Sequence, residues 1–268
     1  MNVGDKHDGG ISPIHLVSES LATDGGYVAI GDMARILDGR NHRLIGGIAV
    51  MIHLQRLGSD LPIRATGDAD FGIPLGLLQD DALLVDLIEA TGYRKEAGNR
   101  WARQVDDRRR AAIDILIPGY TTRLRSAHRV GSVNSTEVPG LSEALRRSPV
   151  EVNAVMHLTD GSQVEATVQI PDLIAMLVLK ARVRSVRTET RDAEDLWRCI
   201  ELVNTEFGID VAAEDPDLVA VLPILRAELG PGGASLPAIT AGVAEGEAQR
   251  RRTRLLALLA AIDDLRHE

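Results

Sequence analysis

At Pro171 the apolar residues of this 268-residue chain change their spacing, from every second position to about every 3.6. Before that point, Val150 to Leu158 and Gln163 to Ile170 alternate around T-D-G-S, a glycine-containing turn, and predict a β-hairpin. After it the pattern is helical throughout. A strand buries alternate side chains and a helix buries a stripe, so the two halves need different packing partners. The expected fold class is therefore α+β: a mixed β-sheet with flanking helices over residues 1–170, then a helical bundle over residues 171–268.

The upstream half divides further. The first forty residues predict one helix, around Gly31 to Leu37. From Leu44, L-I-G-G-I-A-V-M-I-H-L-Q-R-L is a small-residue turn feeding a helix that Gly58 stops. The segment I-R-A-T-G-D-A-D-F-G-I-P holds a short strand, and Pro74 opens a helix that Gly92 closes. Arg100 to Val105 and Ala111 to Ile117 predict two strands joined by the polar turn Asp106 to Arg110, and residues 120–149 read as loop-rich.

Charge narrows the function classes. With 30 Lys+Arg against 39 Asp+Glu the net charge is −9, which argues against a surface built wholly to hold nucleic acid. The charge is uneven: residues 94–147 sum to +6 and residues 180–191 to +4, set between acidic flanks. Seven aromatic residues make the core aliphatic and argue against stacking of single strands on an aromatic platform. Only three of the basic residues are lysines, Lys6, Lys95 and Lys180, so each is a candidate for a task arginine does not perform. A single cysteine, Cys199, excludes an internal disulfide and a multi-cysteine metal site. His53, His128 and His157 have no ligand spacing. The apolar runs are too short for a membrane span, and the polar start M-N-V-G-D-K-H-D-G-G lacks a secretion signal; the expectation is a cytoplasmic protein with no membrane partner.

Three acids stand where carboxylates are costly. Asp68 and Asp70, two apart in G-D-A-D-F, project from one face if the chain is extended. Asp114 lies within A-A-I-D-I-L-I-P, a strand that reads as buried on both faces. On adjacent strands the three would form a hard-oxygen site for two divalent ions, Mg²⁺ first and Mn²⁺ as an alternative. A calcium loop is excluded, because its fifth and sixth positions would fall on Gly72 and Ile73. A plain polar turn and a hydrogen-bonded strand aspartate are the bland alternatives. Gly46-Gly47 before a helix offers backbone N–H groups to a phosphate, or else simply a tight packing turn. Thr66, two before Asp68, shares its strand face, so phosphorylation there would set negative charge beside the metals and silence the site.

In these residues the chain resembles the polymerase-beta-type nucleotidyltransferase superfamily and, within it, the AbiEii-like branch of bacterial toxin–antitoxin pairs. The motifs are h-G-G-h-A at Ile45 to Ala49 and R-x-T-x-D-h-D-F at Arg64 to Phe71. A second block, a helix reading K-x-x-A-x-x-x-R-x-x-x-R-D-x-x-D-L in the branch, is matched by Lys180, Arg187, Arg191, Asp192, Asp195 and Leu196. Arg184, Arg187 and Arg191 would then follow Lys180 along one helical face.

The resemblance implies a nucleotidyltransferase-type sheet and a reaction in which an acceptor hydroxyl attacks a nucleoside triphosphate and pyrophosphate leaves. It implies Asp68, Asp70 and Asp114 as catalytic metal ligands and Lys180 as a catalytic phosphate-binding group. Gly46, Gly47, Thr66, Arg187, Arg191, Asp192 and Asp195 would complete the nucleotide site. The acceptor it implies is RNA, at a transfer RNA 3′ end, with a cognate antitoxin as partner and residues 94–147 as the acceptor surface. A small-molecule or protein acceptor, and a decayed nucleotide-binding or interaction module, are the rival readings.

Overall fold

The computed structural model describes residues 12–63, 66–80, 82–119, 125–130 and 133–264. In chain order the first half runs β1 (Ile14–Val17), α1 (Leu21–Ile36), β2 (Arg43–Ile45), α2 (Gly46–Arg56), β3 (Ala69–Gly72), α3 (Leu75–Asp80), α4 (Ala82–Ala90), β4 (Arg94–Ala97), β5 (Arg100–Gln104) and β6 (Arg110–Gly119). It continues with β7 (Arg125–Val130), β8 (Val133–Pro139), α5 (Leu141–Arg146), β9 (Val150–His157) and β10 (Gln163–Ile170). The remainder is helical: α6 (Leu173–Arg184), α7 (Thr190–Phe207), α8 (Ile209–Ala212), α9 (Pro216–Leu229), α10 (Leu236–Thr240) and α11 (Glu245–Asp264). The fold is mixed α+β with a C-terminal helical region. No helix among the described residues is long and apolar enough to cross a membrane.

The strands form two sheets. The hairpin β9–β10 pairs antiparallel, and β1 adds to it parallel to β9. The larger sheet has the order β2-β3-β6-β5-β4, with β8 also on β6 and β7 on β8. Strand β6 organises it. One side of β6 carries β3 in parallel; the other carries β5 over Arg110 to Asp114 and then β8 over Leu116 to Gly119. Asp114 thus stands where β6 changes partners, a point at which the ladder must open.

Two expectations are corrected. The first helix runs over Leu21–Ile36 rather than starting near Gly31. A Cβ at Gly25 would strike the Arg110 carbonyl of β6 and one at Gly26 the Gly67 carbonyl, so both glycines are there for close approach. The stretch 120–149 is not loop-rich: its described part holds β7, β8 and α5. Strand β8, V-N-S-T-E-V-P, has little apolar alternation and forms because β7 and the buried strand β6 both pair with it. The same holds for exposed β4, R-K-E-A, a strand missed in the sequence and held by β5.

A single aliphatic core runs from Leu16 to Ile262 through both sheets and the C-terminal helices. Helix α6 lies at its centre, buried on almost every face, and packs on α7 and α9. A smaller cluster of Ile45, Leu116, Val138, Leu141, Leu179 and Val183 joins the end of the large sheet to α5 and α6. That junction sets one wall of the cleft described next.

Candidate functional site

Strand register builds the floor of the site. Ile45 of β2 pairs with Asp70 of β3, Asp70 with Asp114 of β6, and Asp114 with Arg100 of β5. Neighbouring strands lie about 4.8 Å apart, so this single row sets two carboxylates side by side and a guanidinium next to them. Asp68 lies just before β3, which starts at Ala69, so it and Thr66 reach the site from the approach to the strand and not from its face.

Above the floor a cleft of about 420 Å³ opens. Gly46, Gly47, Thr66, Asp68, Asp70, Asp114, Lys180, Arg187, Arg191, Asp192 and Asp195, all eleven residues expected at the site, line it. Arg64, the first residue of the quoted motif, lies outside the described residues.

The N-terminus of α2 faces this floor. Its N-cap is Ile45, whose side chain has no oxygen to satisfy the first N–H groups of the helix. Gly46 has φ +79°, and a Cβ there would collide with the Asp70 carboxylate. Only glycine takes this position without strain in both respects.

The carboxylates differ in surroundings. Among the described residues the Asp70 side chain has no hydrogen-bond or ion-pair partner. Burial, then the charges of Asp114 and Asp68, push it up to about 6, against a smaller opposing pull from Lys180 and Arg187. Asp114 is also raised, first by burial and further by Asp68, with Arg100 opposing. Arg100 donates from one terminal nitrogen to Asp68 Oδ1 at 2.9 Å and from the other to Asp114 Oδ2 at 3.2 Å. Asn99 Nδ2 donates to Asp114 Oδ1 at 3.2 Å, and Thr136 Oγ1 donates to Asn99 Oδ1 at 2.9 Å. These two side chains bridge the gap where β6 changes partners.

The opposite wall comes from the helices. Lys180 Nζ of α6 donates to Asp195 Oδ2 of α7 at 2.7 Å, and Arg198 donates to Asp195 Oδ1 at 3.1 Å. The Lys180 side chain is only 6% exposed, so its charge is aimed at the cleft and at Asp195, not at solvent. Arg187 makes a two-pronged pair with Asp192, both contacts at 2.7 Å, while Arg191 pairs with Glu189 at 2.5 Å. The single helical face expected for the arginines is corrected: α6 ends at Arg184 and α7 begins at Thr190. Arg184 turns away from the cleft to Ser235 Oγ at 3.0 Å and Glu228 at 3.1 Å.

The sequence reading missed Arg100, Asn99, Thr136 and the apolar wall of Ile45, Leu116, Val138, Leu179 and Val183. Its only signal for Arg100 was a charge heading a predicted strand. Cys199, given no role, is buried and its thiol is pushed up to about 12 by that burial, which makes it inert.

Among the described residues no three His, Cys, Asp or Glu side chains close into a ready-made metal cage. The donor set still suits a hard divalent cation: among the described residues Asp70 has no hydrogen-bond or ion-pair partner, and Asp68 has one oxygen outside its pair with Arg100. The charged lining comprises five carboxylates and four cations, so one bound divalent ion would turn the cleft net positive. No protein-family model matches the chain, and no curated protein matches it.

Proposed function

We propose that the chain is a metal-dependent nucleotidyltransferase that moves a nucleoside monophosphate from a nucleoside triphosphate to an acceptor hydroxyl. The observation that carries the reading is the in-register pair Asp70–Asp114 beside the uncapped N-terminus of α2, with Lys180 on the facing wall of the same cleft. Asp68 and Asp70, with Asp114, would hold Mg²⁺, or Mn²⁺ in its place. When bound, the ions would supply Lewis-acid stabilisation of charge on the α-phosphate and acidify the acceptor hydroxyl.

The chain's own groups do the remaining work. The N–H groups of Gly46 and Gly47 and the Lys180 ammonium bind the phosphates of the triphosphate. Asp195, itself held by Arg198, keeps the Lys180 side chain in position, and Asp192 does the same for Arg187. The apolar wall of Leu116, Val138, Leu179 and Val183 excludes water and offers apolar contact to a base. Asp114, with its proton affinity raised by burial, takes the proton of the acceptor hydroxyl. The acceptor is RNA, at a transfer RNA 3′ end, and the chain acts as the toxin of a toxin–antitoxin pair in the cytoplasm; both rest on the AbiEii-like resemblance.

Radiolabelled triphosphates incubated with total RNA test the assignment. Wild type should label RNA, and Asp68→Asn or Asp114→Asn should abolish transfer with the melting temperature near wild type. Undiminished transfer by both variants would overturn it. A module that binds nucleotide without turnover is favoured by one observation, the Arg100 bridge across two of the three acids. Calorimetry showing triphosphate binding with no label transfer would select that reading.

A further inference from the structure

We infer that Arg100 is a resident counter-cation, a positioning residue that spans Asp68 and Asp114 in the metal-free protein and is displaced when a divalent ion takes both. The inference rests on the metal-dependent reading above. Its physical basis is the way the guanidinium is used. An arginine that serves to orient a single carboxylate often grips it with both prongs, as Arg187 does Asp192. Arg100 instead gives one nitrogen to Asp68 Oδ1 and the other to Asp114 Oδ2, at 2.9 and 3.2 Å, and so sits between the two acids where their mutual repulsion calls for a cation.

Asp114 confirms the arrangement from its other side: with Asn99 on Oδ1 and Arg100 on Oδ2, each of its oxygens already accepts a hydrogen bond. A divalent ion that uses Asp114 must therefore break a bond. The bond to Arg100 is the one that like-charge repulsion weakens as the ion arrives.

The arginine has somewhere to go. Its side chain is 38% exposed, and it lines both the cleft and a second, more open groove beside Asp68, whose lining also includes Gly67, Ala112, Arg108 and Arg110. Because Arg100 borders both spaces, the displacement asks for a change of its side-chain rotamer and not of β5. Asp70, beside Asp114 in the sheet and without a partner among the described residues, is then the first ligand met by an incoming ion, and Asp68 and Asp114 follow as Arg100 leaves.

Titration of the full-length, nucleotide-free protein with Mn²⁺, followed by the loss of the free-ion electron paramagnetic signal, tests this apart from turnover. Arg100→Met should bind Mn²⁺ about tenfold more tightly than wild type, and Arg100→Gln, which keeps a donor for one carboxylate and with it the local fold, should move in the same direction. Unchanged or weakened Mn²⁺ affinity in both variants, with Asp70→Asn still losing the ion, overturns the inference alone. Mn²⁺ binding that survives in Asp70→Asn, or is absent from wild type and the Arg100 variants alike, overturns the metal-site reading together with it.

Discussion

Gly46 carries two constraints at one residue: a left-handed backbone at φ +79° and a side-chain position already filled by the Asp70 carboxylate. Gly46→Ala should therefore destabilise the protein by about 1–3 kcal/mol, measurable by urea unfolding, and push Asp70 out of register with the start of α2. Lys180 is constrained by charge instead. It and Asp195 are both nearly inaccessible, and Arg198 is a second cation on Asp195. Lys180→Met leaves a buried carboxylate with one counter-ion fewer, a change that costs about 3–5 kcal/mol when a buried pair is broken and no second partner remains. Because Arg198 stays, the expected loss lies at or below the lower end of that range, and label transfer should fall to background. Wild-type transfer by Lys180→Met would remove Lys180 from the phosphate site.

At the scale of elements, α1 sets helix propensity against packing. Alanine is favoured over glycine in a helix by about 1 kcal/mol, so propensity alone predicts that Gly25→Ala stabilises. The new Cβ would meet the Arg110 carbonyl, a backbone atom of the central strand that cannot swing aside. Packing wins, and Gly25→Ala should lower the melting temperature; an increase would show that α1 can move off β6. The same competition explains β4 and β8, whose sequences lack strand patterning and whose pairing with β5 and β6 supplies what propensity does not. The break between α6 and α7 matters equally. An unbroken helix would have carried Arg184 on one line with Arg187 and Arg191. The turn over residues 185–189 instead sends Arg184 to Glu228 and brings Arg187 and Arg191 to the cleft.

For the whole molecule, two buried groups link stability to pH in opposite directions. His53 donates from Nε2 to the Pro171 carbonyl at 2.8 Å, tying α2 to the start of the helical region, and burial lowers it to about 4 from 6.5. Between those values the unfolded chain binds a proton that the folded chain refuses, so stability falls with falling pH, by about 3 kcal/mol in total. Asp70, raised to about 6 from 3.8, takes its proton in the folded state first. In the metal-free protein it contributes stability at low pH that is lost as pH rises through about 6, again about 3 kcal/mol. The two offset each other between pH 4 and 6. Asp70→Asn should therefore be more stable than wild type at pH 7 and should lose stability more steeply on acidification, as urea unfolding at pH 7 and pH 5 would reveal. Equal stability of the two proteins at pH 7 would mean that Asp70 already has a counter-charge.

Local pattern determined a large part of this. Alternation predicted the hairpin β9–β10, the change of period at Pro171 predicted the helices from α6 onward, and the unlikely positions of Asp68, Asp70 and Asp114 marked the residues that now line one cleft. These were legible because periodicity and a carboxylate among aliphatic neighbours are properties of a few consecutive residues. Tertiary structure alone decided which strands are neighbours and in what register. Only the pairing of Arg100 with Asp114 across β5 and β6 could reveal a guanidinium between two acids, and only β8 beside β6 could bring Thr136 to Asn99. It also decided that Gly25 and Gly26 let α1 approach the backbone of Arg110 and Gly67. Register and close approach are set by contacts between residues far apart in the chain, and no window of neighbouring residues carries that information.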